Sequence, residues 1–213
     1  MTASDRRESG RAEAFSDGVI AFAITLLVLN LKDPLAGSTL IPGSPTLFQG
    51  LISQWSSFFA FITSFATILI MWVNHHNMFN YIKKVNTTLL FLNGVLLFFV
   101  VLTAFTTLLV ADHVTLNQTG DGRTAAALYS GNGLILGSVW SFLRFYCTKS
   151  GLGPPASTRL RYLAGPVPYV IAFALSFVNG FLSVVAMLFI AGFWAMVARG
   201  FWVGELSRIE KAL

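Results

Sequence analysis

A few polar residues could carry chemistry in an otherwise apolar sequence. Asp17 lies in an apolar run near the N-terminus, and His75 and His76 lie at the end of a second apolar run. Asn93 lies within a third run. We expect His75 or His76 to donate a hydrogen bond to the Asp17 carboxylate, because such a bond offsets part of the cost of burying that charge.

These side chains fit three kinds of role. The first is a structural or gating network, since hydrogen bonds between membrane helices contribute about 0.6 to 2 kcal/mol each. The second is an ion or proton site, because ionisable groups inside a membrane are costly and mark function. The third is catalysis, which needs a second carboxylate or a nucleophile, and Asp112 and His113 fall at the opposite membrane face. The sequence favours the network and is too poor in ligands to predict a fixed metal site.

The composition indicates that a membrane surrounds these residues. Of the 213 residues, 55% are apolar and 11% are charged, whereas a soluble domain is about 25% charged. These values argue against a disordered chain, a disulfide scaffold and a nucleic-acid-binding domain, and the single Cys147 cannot form an internal disulfide. We therefore predict an all-α protein embedded in the lipid bilayer.

Six apolar segments are long enough, or nearly so, to cross a hydrocarbon core ~30 Å thick. They form a single domain, 1–213, with spans at about residues 12–31, 51–73, 87–110, 125–147, 163–178 and 181–203. The last two spans come from one apolar stretch that we divide at Asn179-Gly180, a turn signal.

Basic residues set the expected orientation. With the N-terminus in the cytoplasm, the inner segments hold 12 of the 14 Lys and Arg residues, and the outer loops hold only Lys32 and Arg123. An even number of spans then predicts a multi-pass protein of the cell membrane with both termini in the cytoplasm. The basic N-terminus also resembles the start of a signal peptide, but Glu13 and Asp17 interrupt the apolar run, so we expect a retained span.

The first span carries an apolar stripe nearly opposite Asp17. At ~100° per residue, Phe22, Leu26 and Leu29 lie about 120–180° from that carboxylate. Thr25 flanks them at about 80°. Periodicity alone favours lipid contact for such a stripe. If several subunits meet around this helix, the stripe instead forms an apolar constriction, which can gate a pore.

The opening of the first span contains a motif of Arg, three residues, and then Phe-Ser-Asp, formed by Arg11, Phe15, Ser16 and Asp17. This motif resembles the one that opens the first helix of the endosomal and lysosomal transmembrane potassium channel family. Residues 23–29 and 72–76 are also similar, as is Asn93. The similarity covers about the first half of the chain and is closer to the prokaryotic members, which carry one six-helix repeat per chain.

The resemblance implies a homotetrameric potassium-permeable channel with six transmembrane helices per subunit, the first helix lining a central pore. It implies no cofactor, with potassium as the permeating ion. It places the pore constriction on Phe22, Leu26 and Leu29, and a threonine ring on Thr25. It places an inter-helix network below the constriction on the following residues: Arg11, Phe15, Ser16, Asp17, His75, His76 and Asn93.

Two features bear on permeation. The family has no Thr-Val-Gly-Tyr-Gly filter and neither has this sequence, so we expect modest selectivity for potassium over sodium. Phe22 stands where the family usually has Ile or Leu, and four phenyl rings would crowd the axis more.

We therefore expect a channel and not an enzyme. The alternative is a small proton-coupled secondary transporter that uses Asp17, His75 and His76 as its coupling site. Transporters often carry paired inverted repeats and broken helices, and we find neither in this sequence.

Overall fold

Helices form nearly all of the structure, a computed structural model that describes residues 3–35, 46–114, 120–153 and 165–210, with the backbone alone for 3–7 and 198–210. Helix α1 continues after Leu26 as a 3-10 turn, Leu27–Asn30. The helices are α1 (Ala3–Leu26), α2 (Leu47–Ser53), α3 (Trp55–Phe79), α4 (Thr87–His113), α5 (Gly120–Lys149), α6 (Val167–Ser176) and α7 (Gly180–Glu210).

Four of the described helical segments are long and apolar enough to cross a membrane: Glu8–Asn30, Trp55–Phe79, Thr87–His113 and Gly180–Val197. Helix α5 is 30 residues long and carries charges near both ends, whereas α6 is apolar but has only 10 residues. The predicted all-α membrane fold is therefore confirmed as a class. The six predicted spans overlap these helices in order, and the second span overlaps both α2 and α3.

Helix ends differ from the predicted spans. Helix α1 begins at Ala3 and not near residue 12, because good helix formers such as Arg6, Arg7 and Glu8 extend it before the apolar run. The predicted span 51–73 straddles a break at Gln54, and its helix continues to Phe79. Hydropathy marks the apolar part of a helix, and polar residues such as His75 can extend the helix beyond it.

Local sequence signals explain several helix starts. Thr46 and Gln49 form a reciprocal capping box at the start of α2. The Asn86 side chain accepts a hydrogen bond from the Leu89 backbone nitrogen and caps α4. Helix α7 begins at Gly180, at the predicted division, and a Cβ atom there would lie 2.7 Å from the Gly122 carbonyl oxygen. Glycine thus permits the close approach of α7 to α5.

Helix α1 lies at one side of the bundle, against α3 and α4. Helix α3 also contacts α4 and α7, and α5 packs against α4, α6 and α7. One apolar cluster joins α1, α3, α4 and the end of α5 through side chains that include Ile20, Leu27, Ile68, Leu96 and Leu143. A second cluster joins all five helices from α3 through α7, with side chains that include Val110, Ala126, Tyr129, Val184 and Met187.

A buried chain of hydroxyl groups fixes α3, α4 and α5 to one another. Thr107 donates to the Ser64 hydroxyl at 2.6 Å, and Ser64 donates to the Tyr129 hydroxyl at 3.0 Å. Nearby, the Asn132 amide donates to the Thr103 hydroxyl at 3.0 Å. Because each bond joins two helices, these bonds stabilise the packing of α3, α4 and α5. Helix α1 packs against two of these helices, α3 and α4.

Candidate functional site

Helix α1 has one buried face and one exposed face. The buried face packs against α3 and α4 with side chains that are at most 1% exposed: Ser16, Ile20, Ala23 and Leu27. The exposed face repeats every three or four residues: Arg11, Phe15, Gly18, Phe22, Thr25 and Leu29. Such spacing is typical of a helix that packs against other helices through one seam, yet this seam has no partner within the described chain.

The predicted apolar stripe lies on the exposed face. Phe22 is 63% exposed and Leu29 is 71% exposed, whereas Leu26 is half-buried. Leu26 differs because it lies at about 180° from Asp17, at the edge of a face centred nearer 120°. The exposed Thr25 hydroxyl donates to the Phe22 carbonyl at 2.8 Å. Its oxygen therefore keeps its lone pairs free for an external partner.

Behind this face, Asn93 of α4 joins α1 to α3. Its amide nitrogen donates to the Ser16 hydroxyl at 2.8 Å, so its oxygen faces His75 Nε2 at 2.9 Å. His75 Nε2 therefore carries the proton and donates it. The buried Nδ1 has no hydrogen-bond partner in the described part of the chain. This arrangement suits a neutral imidazole, because a proton on Nδ1 would be a buried donor without an acceptor.

The prediction that His75 or His76 donates a hydrogen bond to the Asp17 carboxylate is wrong. The Trp72 indole nitrogen donates to the Asp17 carboxylate at 2.9 Å instead. The histidines have other partners, because His75 is turned towards α4 and Asn93, whereas His76 reaches Glu13. The cost of burying the carboxylate is therefore offset by an indole N–H, a donor that does not ionise under physiological conditions.

Glu13 and His76 face each other one turn further along, with 2.9 Å between His76 Nδ1 and a Glu13 oxygen. Single ligand atoms of Glu13, Asp17 and His76 all lie within 4.8 Å of one another. Two carboxylates and an imidazole are a donor set that a divalent cation such as Zn²⁺ accepts, with a fourth position for water. The Trp72 bond to Asp17 would orient one ligand.

The structure thus brings together five residues of the predicted network: Ser16, Asp17, His75, His76 and Asn93. Arg11 and Phe15 are exposed on the other face, and Arg11 makes no hydrogen bond or ion pair to any described residue. Sequence reasoning missed Glu13 and Trp72 as members. Both carry a signal, since each lies four residues from a predicted member, Asp17 or His76, on the same helix face.

Comparison with known proteins connects this site to a family. The family model for the endosomal/lysosomal potassium channel TMEM175 matches residues 11–103, which include most of α1, all of α3 and Asn93 of α4. A potassium channel of Chamaesiphon minutus is 38% identical over 204 residues, which are 92% of this chain and 98% of that protein. A potassium channel of Streptomyces collinus is 38% identical over 187 residues, which are 84% and 87% of the two chains.

The fold agrees with the sequence match. The crystal structure of a lysosomal potassium-selective channel TMEM175 homolog from Chamaesiphon minutus superposes with a TM-score of 0.79 over 90% of this chain and 98% of that chain. The resemblance inferred from the first-helix motif is therefore confirmed. The chain belongs to the TMEM175 family, which is a family of channels and not of enzymes.

Proposed function

We propose that this chain is one subunit of a homotetrameric, potassium-permeable cation channel whose pore is lined by α1. Two relatives of 38% identity, matched over 98% and 87% of their length, are named potassium channels, and one solved structure is described as potassium-selective. The observation that carries the proposal is the exposed face of α1, which leaves Phe22 and Leu29 uncovered within the described chain.

The composition of this face supports contact with other subunits over contact with lipid alone. Small residues, Gly18 and Thr25, alternate with the large side chains of Phe15, Phe22 and Leu29. A Cβ atom at Gly18 would meet nothing within 4 Å. Small residues favour close approach of membrane helices, and lipid requires no such alternation.

Four copies of this face would form stacked rings around an axis. Rings of Phe22 and Leu29, with the partly exposed Leu26 at the edge, form an apolar constriction that stops ions by dewetting when narrow. The Thr25 oxygen lone pairs face the same axis and can coordinate a cation. Hydroxyl groups and apolar rings replace a carbonyl cage, so selectivity for potassium over sodium is modest.

The network behind α1 sets which residues face the axis. Asn93 fixes Ser16, and Trp72 fixes Asp17, so the rotation of α1 about its own axis is held at two points. Releasing either bond lets α1 rotate and changes the ring that lines the pore. These residues therefore act as a gating and assembly network, and no fixed metal is needed for conduction.

The proposed topology has six spans, with both termini in the cytoplasm of a cell whose membrane holds the channel. Helix α5 is about 45 Å long at 1.5 Å per residue, which is sufficient to cross. Helix α6 has 10 residues and is too short to cross alone, and residues 163 and 164 of the proposed fifth span lie outside the described part of the chain. Twelve of 14 basic residues then fall on the cytoplasmic side.

Recording from purified protein in liposomes tests the function. Native mass spectrometry should give four subunits, and a potassium gradient should drive large unitary currents. Slow, saturable flux that requires a proton gradient would support the transporter instead and contradict the channel.

A further inference from the structure

A cavity of about 110 Å³ lies between α3, α5, α6 and α7. It is separate from the α1 face and from the hydrogen-bonded network. Its polar and aromatic lining includes Asn74, Asn77, Tyr81, Trp140, Arg144 and Trp194.

The cavity has a cationic end and an apolar end. Arg144 lies near the last turn of α5, half-buried, with its guanidinium carbon 5.7 Å from the centroid of the Trp140 ring. Leu136 lies two turns deeper on the same helix, opposite Ile70 and Ala191 from the neighbouring helices. A guanidinium group binds phosphate through paired hydrogen bonds, and an apolar wall beside it favours a ligand with an apolar portion.

The cavity and the network lie on opposite faces of α3. With Trp72 as zero and ~100° per residue, His75 and His76 lie at about −60° and +40°. On the same scale, Asn74 and Asn77 lie at about 200° and 140°. A ligand in the cavity would therefore contact the face of α3 opposite the one that binds α1.

We propose that this cavity binds the anionic head group of a membrane phospholipid, with the phosphate at Arg144 and the glycerol and first acyl carbons against the apolar wall. Asn77 offers a further amide donor at the same end, and Asn74 has a second amide N–H beside the one that it donates to the Ile70 carbonyl at 2.9 Å. Basic pockets between transmembrane helices bind lipid head groups in this way. The lipid modulates conduction through α3, and this second part rests on the proposed channel function.

A binding experiment tests the site directly. Delipidated protein is mixed with equal phosphatidylglycerol and phosphatidylcholine, and the retained lipid is measured by native mass spectrometry. We expect wild-type protein to retain phosphatidylglycerol preferentially. In Arg144→Gln the ratio of retained phosphatidylglycerol to phosphatidylcholine should fall about tenfold, because the charge-assisted hydrogen bonds to the phosphate disappear. Ala191→Leu should lose it by filling the cavity without changing any charge.

The matched control is Lys149→Gln, which removes a positive charge from the same end of α5 at an exposed position outside the cavity lining. It should keep the preference. No preference in wild-type protein, or an equal loss in Lys149→Gln and Arg144→Gln, would overturn the proposal. Protection of wild-type protein against heat by inorganic phosphate, equal to that by phosphatidylglycerol, would overturn lipid as the source of the anion.

Potassium flux separates the site from its consequence. In liposomes with and without phosphatidylglycerol, wild-type flux should differ several-fold and Ala191→Leu flux should not. Specific lipid binding that leaves flux unchanged would overturn the modulatory role alone. Specific binding by a protein that conducts in neither membrane would overturn the channel function and leave the lipid site established.

Discussion

Trp72 and Asp17 form one rung of a polar ladder between two antiparallel helices. The indole nitrogen donates to the carboxylate at 2.9 Å, and His76 pairs with Glu13 at 2.9 Å one turn away on both helices. These rungs fix α1 and α3 in one register. Because the register also fixes the rotation of α1, the ladder determines which side chains of α1 are exposed.

Replacing Trp72 by Phe should weaken this register. The substitution keeps an aromatic ring but removes the donor to Asp17, which leaves a half-buried carboxylate without its indole partner. We expect a loss of about 1 to 2 kcal/mol of stability, measured as the resistance of the assembled protein to heat or denaturant. Trp55→Phe, at the other end of α3, is the control. Equal shifts in the two variants would show that the bond to Asp17 contributes nothing.

The Asn93 bridge should show non-additive energetics. Asn93→Ala removes the partners of both Ser16 and His75, and we expect it to lower stability by about 2 kcal/mol. Ser16→Ala removes one of these bonds and should lower stability by about 1 kcal/mol. The double variant should lose less than the sum by at least ~0.5 kcal/mol.

Ser138→Ala provides the comparison for this cycle. Ser138 is exposed on α5, where its hydroxyl bonds, among the described residues, only to the Leu134 carbonyl of its own helix. Its effect should add to that of Asn93→Ala. If the stability losses of Ser16→Ala and Asn93→Ala also add, the hydrogen bond between α1 and α4 does not exist in the folded protein.

Much of the fold follows from the sequence, because apolar runs and glycine or asparagine turn signals are local. The division at Asn179-Gly180 needed only a 42-residue apolar stretch that one helix cannot occupy in a bilayer. The helix ends did not follow as well. Hydropathy falls at residue 73, but the α3 backbone continues to Phe79 because its polar side chains find partners on α1 and α4.

For the site, the sequence predicts the depth of the residues in the membrane and the exposed face of α1. Topology alone places Ser16, Asp17, His75 and Asn93 at one level, and ~100° per residue predicts the exposed stripe on α1. Partner choice was not predictable, since Trp72 and the histidines are all within reach of Asp17 along one helix. Only the rotation of α3 decides among them, and long-range packing sets that rotation.

The topology can be tested with single cysteines. Lys32 and Lys83 are both exposed, and the native Cys147 is buried, so background labelling is low. A membrane-impermeant maleimide should label Lys32→Cys in intact cells and Lys83→Cys only after permeabilisation. Lys32 pairs with Asp112 at 3.1 Å, but an exposed pair of this kind contributes at most ~1 kcal/mol. The reverse labelling pattern would invert the proposed orientation.

The pore constriction is tested by replacing Phe22. In the proposed tetramer, the exposed Phe22 side chains of the four subunits should form the narrowest apolar ring of the closed pore, since a phenyl group is larger than the side chain of Ile or Leu. Phe22→Ser should widen and wet that ring. We expect potassium flux to rise by about tenfold, as a barrier lowered by ~1.4 kcal/mol gives, and discrimination against sodium to weaken.

Phe98→Ser is the matched control for this change, because Phe98 is 61% exposed against 63% for Phe22 but lies on α4. A residue that contacts lipid or a neighbouring subunit outside the pore should alter stability and leave permeation unchanged. We therefore expect Phe98→Ser to keep the wild-type ratio of potassium to sodium flux. If a correctly assembled Phe22→Ser tetramer behaves as Phe98→Ser does, Phe22 does not line the pore. The constriction at Leu26 and Leu29 would then lose its support as well, because the three residues share one face of α1.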